Sequence, residues 1–280
     1  MNTIFQCGRY QLPIRPGQMP LVMGILNVTP DSFSDGGRYH HLDTAISRAE
    51  QMIADGVDII DIGGESSRPG ALPVTLDEEL RRVLPLIFAL RDCGKPLSID
   101  TTKLSVMAEA LDAGVDMVND IGGLRQPGVI DAVKDGDCGL CIMHMQALPQ
   151  TMQLQPDYVD VVTEVTDFLR GRVDACLAAG VSPDRICIDP GFGFGKAQDH
   201  NVALLRHIDT IARELKLPLL AGLSRKSMLG NLTGRAVEDR LPASLGAALA
   251  AAANGAAIIR VHDVAETVDA LKVWFAARGQ

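Results

Sequence analysis

Asp100, Asn119, Asp189 and Lys226 each stand just downstream of a short apolar run. Two carboxylates and an amide, brought together, would offer acceptors and donors to the edge of a flat polar ring. A carboxylate accepts two parallel N–H bonds from a heterocycle such as a 2-amino-4-oxo-pyrimidine, and an ammonium serves a ring carbonyl or nitrogen. A second group is cationic: Arg68 in a Gly-rich stretch, and Arg260 with His262 just before Asp263-Val264. Cations beside a helix start suit phosphate or diphosphate. A third group could clamp a small aromatic ring. It comprises Phe33, in the polar stretch Asn27-Val28-Thr29-Pro30-Asp31-Ser32-Phe33-Ser34-Asp35-Gly36-Gly37, and Phe194, where Phe192 and Phe194 alternate with Gly191, Gly193 and Gly195. Alternate glycines let main chain run close to a ligand. Lys196 is followed by Ala197, so this is not a P-loop.

These side chains need elements to hold them. Apolar runs recur at 21–26, 57–62, 97–99, 115–118, 139–143, 186–188, 218–222 and 256–261. Stretches of helical period separate them, at 42–55, 75–91, 104–113, 127–134, 157–179, 201–215, 242–253 and, closing the chain, 264–276. Thr75-Leu76-Asp77-Glu78 is a capping box, and Gly56, Gly114, Gly180 and Gly255 sit where helix C-termini need glycine. Eight buried strands, each followed by a helix, is the count of a (β/α)₈ TIM barrel of the α/β class. The doubly wound alternative would want a Gly-rich fingerprint after the first strand; Asn27-Val28-Thr29-Pro30 stands there instead. The expectation is one domain over 1–280, with a hairpin or plug in 1–18 turning at Cys7-Gly8-Arg9-Tyr10 and the barrel over 21–276.

A barrel builds its active site at the C-terminal ends of its strands. Every run delivers a polar group there: Asn27, Asp61, Asp100, Asn119, His144, Asp189, Ser224-Arg225-Lys226 and Arg260 with His262. Any one Asp, Asn or Ser could instead be a helix N-cap. Asp120 and Asp263 are read as plain caps, Asp61 as a buried acid hydrogen-bonded within the barrel, and His40-His41 as solvated loop.

Bulk properties exclude other classes. The 280 residues carry a net charge of −9 with 4% aromatics, which argues against a nucleic-acid partner. The N-terminal residues lack a basic segment followed by an apolar one, so no secretory signal is read. The Ala-rich region 241–259 is broken by Asn254-Gly255 and reads as helix plus strand, not a membrane span. Cys138 and Cys141 have redox-motif spacing at a strand entrance, without a second pair for zinc. The six cysteines are read as buried thiols in the cytoplasm.

Several long motifs, in order, resemble the bacterial dihydropteroate synthases of the pterin-binding family. They are Met23-Gly24-Ile25-Leu26-Asn27 running on to Gly37, Asp61-Ile62-Gly63-Gly64-Glu65-Ser66-Ser67-Arg68-Pro69-Gly70, the stretch from Asp189 to Lys196, Ser224-Arg225-Lys226-Ser227 and Arg260-Val261-His262-Asp263. The resemblance implies a folate-pathway transferase joining (7,8-dihydropterin-6-yl)methyl diphosphate to 4-aminobenzoate. It implies that Asp100, Asn119, Asp189 and Lys226 hold the pterin, and that Arg68, Arg260 and His262 hold the diphosphate, with Val261 between the last two. Asn27 would bind Mg²⁺ with the diphosphate. Phe33, Ser67, Pro69, Phe194 and Ser224 would form the aminobenzoate pocket, where sulfonamides compete. Asp100, Lys226, Arg260 and His262 form the expected catalytic set. A homodimer is also implied, and residues 31–37 would act as a lid. Ser67 stands where the family commonly has Thr, which keeps the hydroxyl and removes a methyl. Two rival readings are a pterin-binding methyltransferase that uses methyltetrahydrofolate, and an inactive barrel serving as a binding subunit. Arg68, Arg260 and His262 argue against the first, and Asn27, Asp100, Lys226 and Arg260 against the second.

Overall fold

A computed structural model describes residues 3–15, 17–28, 38–66, 70–146, 152 and 156–279. A hairpin comes first, β1 (Ile4–Cys7) and β2 (Tyr10–Pro13), antiparallel across Gly8-Arg9. The barrel strands are β3 (Leu21–Asn27), β4 (Ile59–Gly63), β5 (Leu97–Asp100), β6 (Met117–Asp120), β7 (Gly139–Met143), β8 (Ile186–Asp189), β9 (Leu220–Ala221) and β10 (Ile258–Val261). They pair in parallel in the order β8-β7-β6-β5-β4-β3-β10-β9, and a parallel bridge between Ile188 and Leu219 closes the ring. This is the (β/α)₈ barrel expected from the sequence, with the N-terminal hairpin beside it.

The helices between strands are α1 (Arg38–Ala54), α2 (Leu76–Leu90), α3 (Leu104–Ala113), α4 (Val129–Val133) and α5 (Val161–Ala178). After β8 come α6 (Gln198–Arg206) and α7 (Ile208–Leu215), then α8 (Ser227–Thr233), α9 (Leu241–Ala253) and α10 (Val264–Ala277). Thr75 caps α2 by accepting from the Glu78 N–H, one of the two bonds of a capping box. Three expectations change. α1 starts at Arg38, so His40-His41 belong to the helix and not to a loop. The single helix over 201–215 is two helices broken at His207 (φ −112°, ψ 20°), whose ring Nδ1 lies 2.8 Å from the Ala203 carbonyl. The short α8 opens directly behind Lys226 and has no counterpart in the sequence reading.

Side chains alternate across each strand, and this parity builds two cores. Val22, Leu26, Ile60, Ile62, Val118, Leu140, Ile142, Ile186 and Ile188 face the helices. Leu21, Met23, Ile59, Met117, Cys141, Cys187, Leu220 and Ile258 face the barrel axis, where Phe5 and Cys7 of the hairpin join them. The hairpin therefore stoppers the N-terminal end of the barrel. Phe5 lies so close to Gly139 that a Cβ there would meet its ring at 2.8 Å. Arg9 fastens the turn: its Nε is 2.8 Å from Asp116 Oδ1, and its Nη1 donates to the Arg91 carbonyl at 2.7 Å. In β4, β6, β8 and β10 the inward columns turn polar two positions further along, at Asp61, Asn119, Asp189 and Arg260. Asn27 is in register with Gly63, Gly63 with Asp100, and Asp100 with Asn119.

Cys138 packs with the helix-facing core and Cys141 with the axial one. The two thiols lie on opposite faces of β7, so they form no dithiol motif. All six cysteines are free.

Candidate active site

The inward column of β4 ends its apolar part at Ile59 and then presents Asp61, fully buried. Its Oδ2 accepts from Asn119 Nδ2 at 3.0 Å and from Arg260 Nε at 2.6 Å. The same guanidinium donates through Nη2 to Asp100 Oδ2 at 2.7 Å. Four strands, β4, β5, β6 and β10, are thus joined by one network of two carboxylates, one amide and one cation. Burial raises the Asp100 pKa from the ordinary 3.8 to about 7; Arg260 opposes the rise, while Asp61, Asp120 and Glu79 add to it. Burial works against the Arg260 charge, but Asp61 and Asp100 outweigh it and hold the guanidinium firmly protonated.

Asp189 and Lys226 face this network from β8 and from the turn after β9. Asp189 is 5% exposed, and its Oδ1 accepts from the Gly191 N–H at 2.7 Å. Burial raises its pKa, against the pull of Lys226 and the Gly191 N–H. Burial lowers the Lys226 pKa to about 8, with Asp189 restraining the fall. The Lys226 ammonium donates to the Phe192 carbonyl and lies 4.7 Å from the centre of the Phe194 ring. Gly222 makes room among these groups. A Cβ there would stand 3.9 Å from Asp189 Oδ2, from Lys226 Nζ and from Arg260 Cβ. The sequence reading passed over Gly222 because it sits inside an apolar run and bears no chemistry of its own.

The anion side is placed in part. His262 and Ser224 meet: the ring Nδ1 is 3.0 Å from Ser224 Oγ, and the His262 N–H donates to the same oxygen at 3.3 Å. Ser224 is buried. Arg260, expected with His262 on the diphosphate, is bound between Asp61 and Asp100, so much of its charge is already matched. Val261 also departs from the expectation. Its side chain packs in the helix-facing core, the opposite parity from Arg260 and His262, so only its main chain is presented to the site. Phe33, Ser67, Arg68, Pro69 and the lid residues 31–37 lie outside the described residues.

Other expectations resolve locally. Asp263 is not a side-chain cap of α10; its carboxylate takes Arg225 through Nε at 3.0 Å and through Nη2. Asp120 accepts from the Gly122 and Leu124 N–H groups, each at 2.7 Å, and shapes the turn after β6. Asp61 is the structural acid its position implied. Lys103 bridges Glu65 and the buried Glu79, while Arg82 Nη1 donates to the Gly64 carbonyl at 2.8 Å. Together they tie down the start of the loop that runs on to Ser67 and Arg68.

A metal would find a modest donor set. Asn27 ends β3, and its Oδ1 lies 3.0 Å from where a Gly63 Cβ would be. No group of three or more His, Cys, Asp or Glu suited to a metal occurs among the described residues. One neutral amide oxygen fits an ion that keeps several waters and takes its charge from substrate phosphates, which is how Mg²⁺ commonly binds.

Residues 23–262 match the family described as pterin binding enzyme. The chain is 48% identical over 277 residues to the dihydropteroate synthase of Neisseria meningitidis serogroup B, covering 97% of this chain and 96% of that one. Among solved structures it resembles Burkholderia cenocepacia dihydropteroate synthase complexed with 7,8-dihydropteroate (TM-score 0.89, 56% identity, 99% and 97% of the two chains). It likewise resembles Xanthomonas albilineans dihydropteroate synthase with 4-aminobenzoic acid (TM-score 0.92, 48% identity, all of both chains). With its barrel closed around an acid-lined pocket, the chain belongs to the pterin binding enzyme family and, within it, to the dihydropteroate synthases.

Proposed function

We propose that the chain condenses (7,8-dihydropterin-6-yl)methyl diphosphate with 4-aminobenzoate, giving 7,8-dihydropteroate and diphosphate. The observation that carries this reading is the convergence at Gly222, which places no side chain of its own between Asp189, Lys226 and Arg260 with its two carboxylates. Asp100, Asn119 and Asp189 offer acceptors for the N–H edge of a pterin, and Lys226 is the donor for its ring oxygen or nitrogen. Phe194, stacked near Lys226, supplies a flat apolar wall for the aminobenzoate ring beside it. Phe33, Ser67, Pro69 and Ser224 are the other residues assigned to the aminobenzoate. His262 and Arg68 attend the diphosphate. The aminobenzoate nitrogen attacks the pterin methylene carbon as the C–O bond to diphosphate breaks, and the amine gives up one proton. Buried carboxylates around the ring favour the positive charge that gathers there as the leaving group departs. Mg²⁺, held by Asn27 and the diphosphate oxygens, would neutralise charge on the leaving group.

The test is diphosphate release measured with the pterin substrate, with and without 4-aminobenzoate. Release that depends on both is expected; release indifferent to 4-aminobenzoate would refute the reading. In the same assay Asn27→Ala should raise the Mg²⁺ concentration needed for half-maximal rate by about tenfold, the scale of one lost contact to a charged group. The KM for 4-aminobenzoate should stay within about twofold. An unchanged Mg²⁺ requirement would remove Asn27 from the metal site.

A homodimer in the cytoplasm completes the proposal. Leu232, Val237 and Val273 leave apolar surface exposed at 60%, 48% and 71%, and no described helix is long and apolar enough to cross a membrane. Free, mostly buried thiols suit a reducing compartment. Light scattering should return twice the 29.9 kDa chain mass; the mass of one chain at micromolar concentration would exclude the dimer.

A further inference from the structure

Lys196 is a buried cation with no part in the reaction described above. It closes the loop 191–196 that follows β8, is 3% exposed, and lies beneath the wall formed by Phe194. Its ammonium meets three acceptors: His144 Nδ1 at 2.9 Å, the Phe194 carbonyl at 2.9 Å and the His144 carbonyl at 3.4 Å. That matches the donor number of an ammonium. His144 is itself wedged in place, its ring edge-on to Phe168 at 4.8 Å and tilted against Tyr158 at 6.1 Å.

The rest of the loop is pinned group by group. Gly193 N–H donates to Asn201 Oδ1 at 2.7 Å, and Tyr158 donates to the Gly195 carbonyl at 2.9 Å. Phe194 N–H donates back to the Gly191 carbonyl at 3.1 Å. Gly191, Gly193 and Gly195 all have positive φ, conformations that other residues adopt only under strain. A Cβ on Gly191 would collide with the His144 carbonyl. Such a loop does not hold its shape by propensity, so it depends on its anchors, and the anchor at Phe194 is Lys196.

We propose that Lys196 is a positioning residue for the acceptor substrate: its buried ammonium, fixed between His144 and the Phe194 carbonyl, sets the loop so that the Phe194 ring lies against Lys226 and the aminobenzoate. The inference rests on 4-aminobenzoate being the acceptor. Burial pushes His144 down to about 3, so the imidazole is neutral and an acceptor; the same burial works against the ammonium and lowers Lys196 to about 7, with Asp189 opposing, so the clamp stands on its geometry and is fully charged only below about pH 7. Asp100 and Asn119 hold the pterin from β5 and β6, away from this loop, and Asp189 is fixed at the end of β8 ahead of it, so loss of the anchor should fall mainly on the acceptor.

Lys196→Met keeps the stem and removes the ammonium. It is expected to raise the KM for 4-aminobenzoate by about tenfold, the scale of a small misplacement. Affinity for 7,8-dihydropterin-6-ylmethanol, the pterin substrate without its diphosphate, titrated calorimetrically as a pterin probe, should change by less than about twofold. In a Phe194→Ala background the same substitution should add little, because both changes act through one ring. His144→Asn, which removes the ring acceptor and leaves the lysine, should raise the aminobenzoate KM in the same direction and serves if Lys196→Met does not fold. An unchanged aminobenzoate KM in the folded variants overturns the proposal. Equal losses for both ligands, or full additivity with Phe194→Ala, overturn it too, since both mark a purely structural lysine. Wild-type protein showing no aminobenzoate-dependent diphosphate release would instead remove the underlying functional reading.

Discussion

Arg260→Met is expected to lower the melting temperature by about 10 °C and to reduce turnover at least about a hundredfold. Both effects come from one contact set. The Arg260 side chain is 18% exposed and bonds Asp61 (0%) and Asp100 (10%). Removing a single partner from a buried ion pair costs about 3–5 kcal/mol, because a charge is left without compensation. For a chain of this size each kcal/mol shifts the melting point by roughly 2–4 °C. Here two carboxylates lose their shared cation. Asp100 can relieve part of the cost by protonating, since it already sits near neutrality, but a protonated Asp100 no longer offers a full carboxylate to the pterin edge. Stability and activity should therefore separate on repair. Arg260→Met combined with Asp61→Asn removes one orphaned charge and should regain several degrees, while turnover stays low because Asp100 still lacks its cation. Differential scanning calorimetry and the diphosphate assay read the two effects. A melting point within about 2 °C of wild type in the single variant would mean that water reaches both carboxylates and that the network is not buried in the sense argued.

The second large effect is on pH dependence. Asp100 must be ionised to accept N–H bonds from the ring, and Lys226 must be protonated to donate. With Asp100 at about 7 and Lys226 at about 8, kcat/KM for the pterin substrate should form a narrow bell, rising through about pH 7 and falling above about 8. The apparent values belong to the network, since Asp61 and Arg260 couple to Asp100. Asp100→Asn should reduce kcat/KM by about a hundredfold through loss of the charged acceptor, and it should flatten the acid limb. An acid limb that persists unchanged in Asp100→Asn would assign it to another group.

Stability should move with the same titrations. The Asp100 pKa is higher folded than unfolded, so the stability it contributes is full below 3.8 and is lost as pH rises through about 7. The Lys226 pKa is lower folded than unfolded, so its contribution is full above 10.5 and is lost as pH falls through about 8. Both groups are therefore least favourable to the fold in the range where both are charged and the reaction runs. A site that holds opposed charges ready for a ligand costs stability in its empty form.

The sequence by itself determined the barrel. Eight Ile-, Val- and Leu-rich runs, separated by helices with glycine at their ends, carry local signals, and parallel strands buried on both faces admit few other layouts. It also determined that Asp100, Asn119, Asp189 and Lys226 share a rim, because each follows a run directly and a barrel gathers strand ends at one face. The two broken helices around His207 and the short α8 escaped it, since both follow from side-chain and loop contacts that helical period does not encode. What the tertiary structure alone decided is partnership and face. Arg260 lies 199 residues from Asp61 in sequence and 160 from Asp100, and only ring closure brings them within hydrogen-bonding distance and joins Arg260 to the acid network. Strand parity turns the Val261 side chain into the helix-facing core and leaves its main chain to the site. Asp263 looks like a cap in sequence but serves Arg225, which enters from another loop. The His144–Lys196 clamp joins residues 52 apart that belong to separate turns. Propensity, capping and period are properties of neighbours along the chain, whereas an ion pair or a buried donor's partner is chosen by whatever the closed barrel places opposite it.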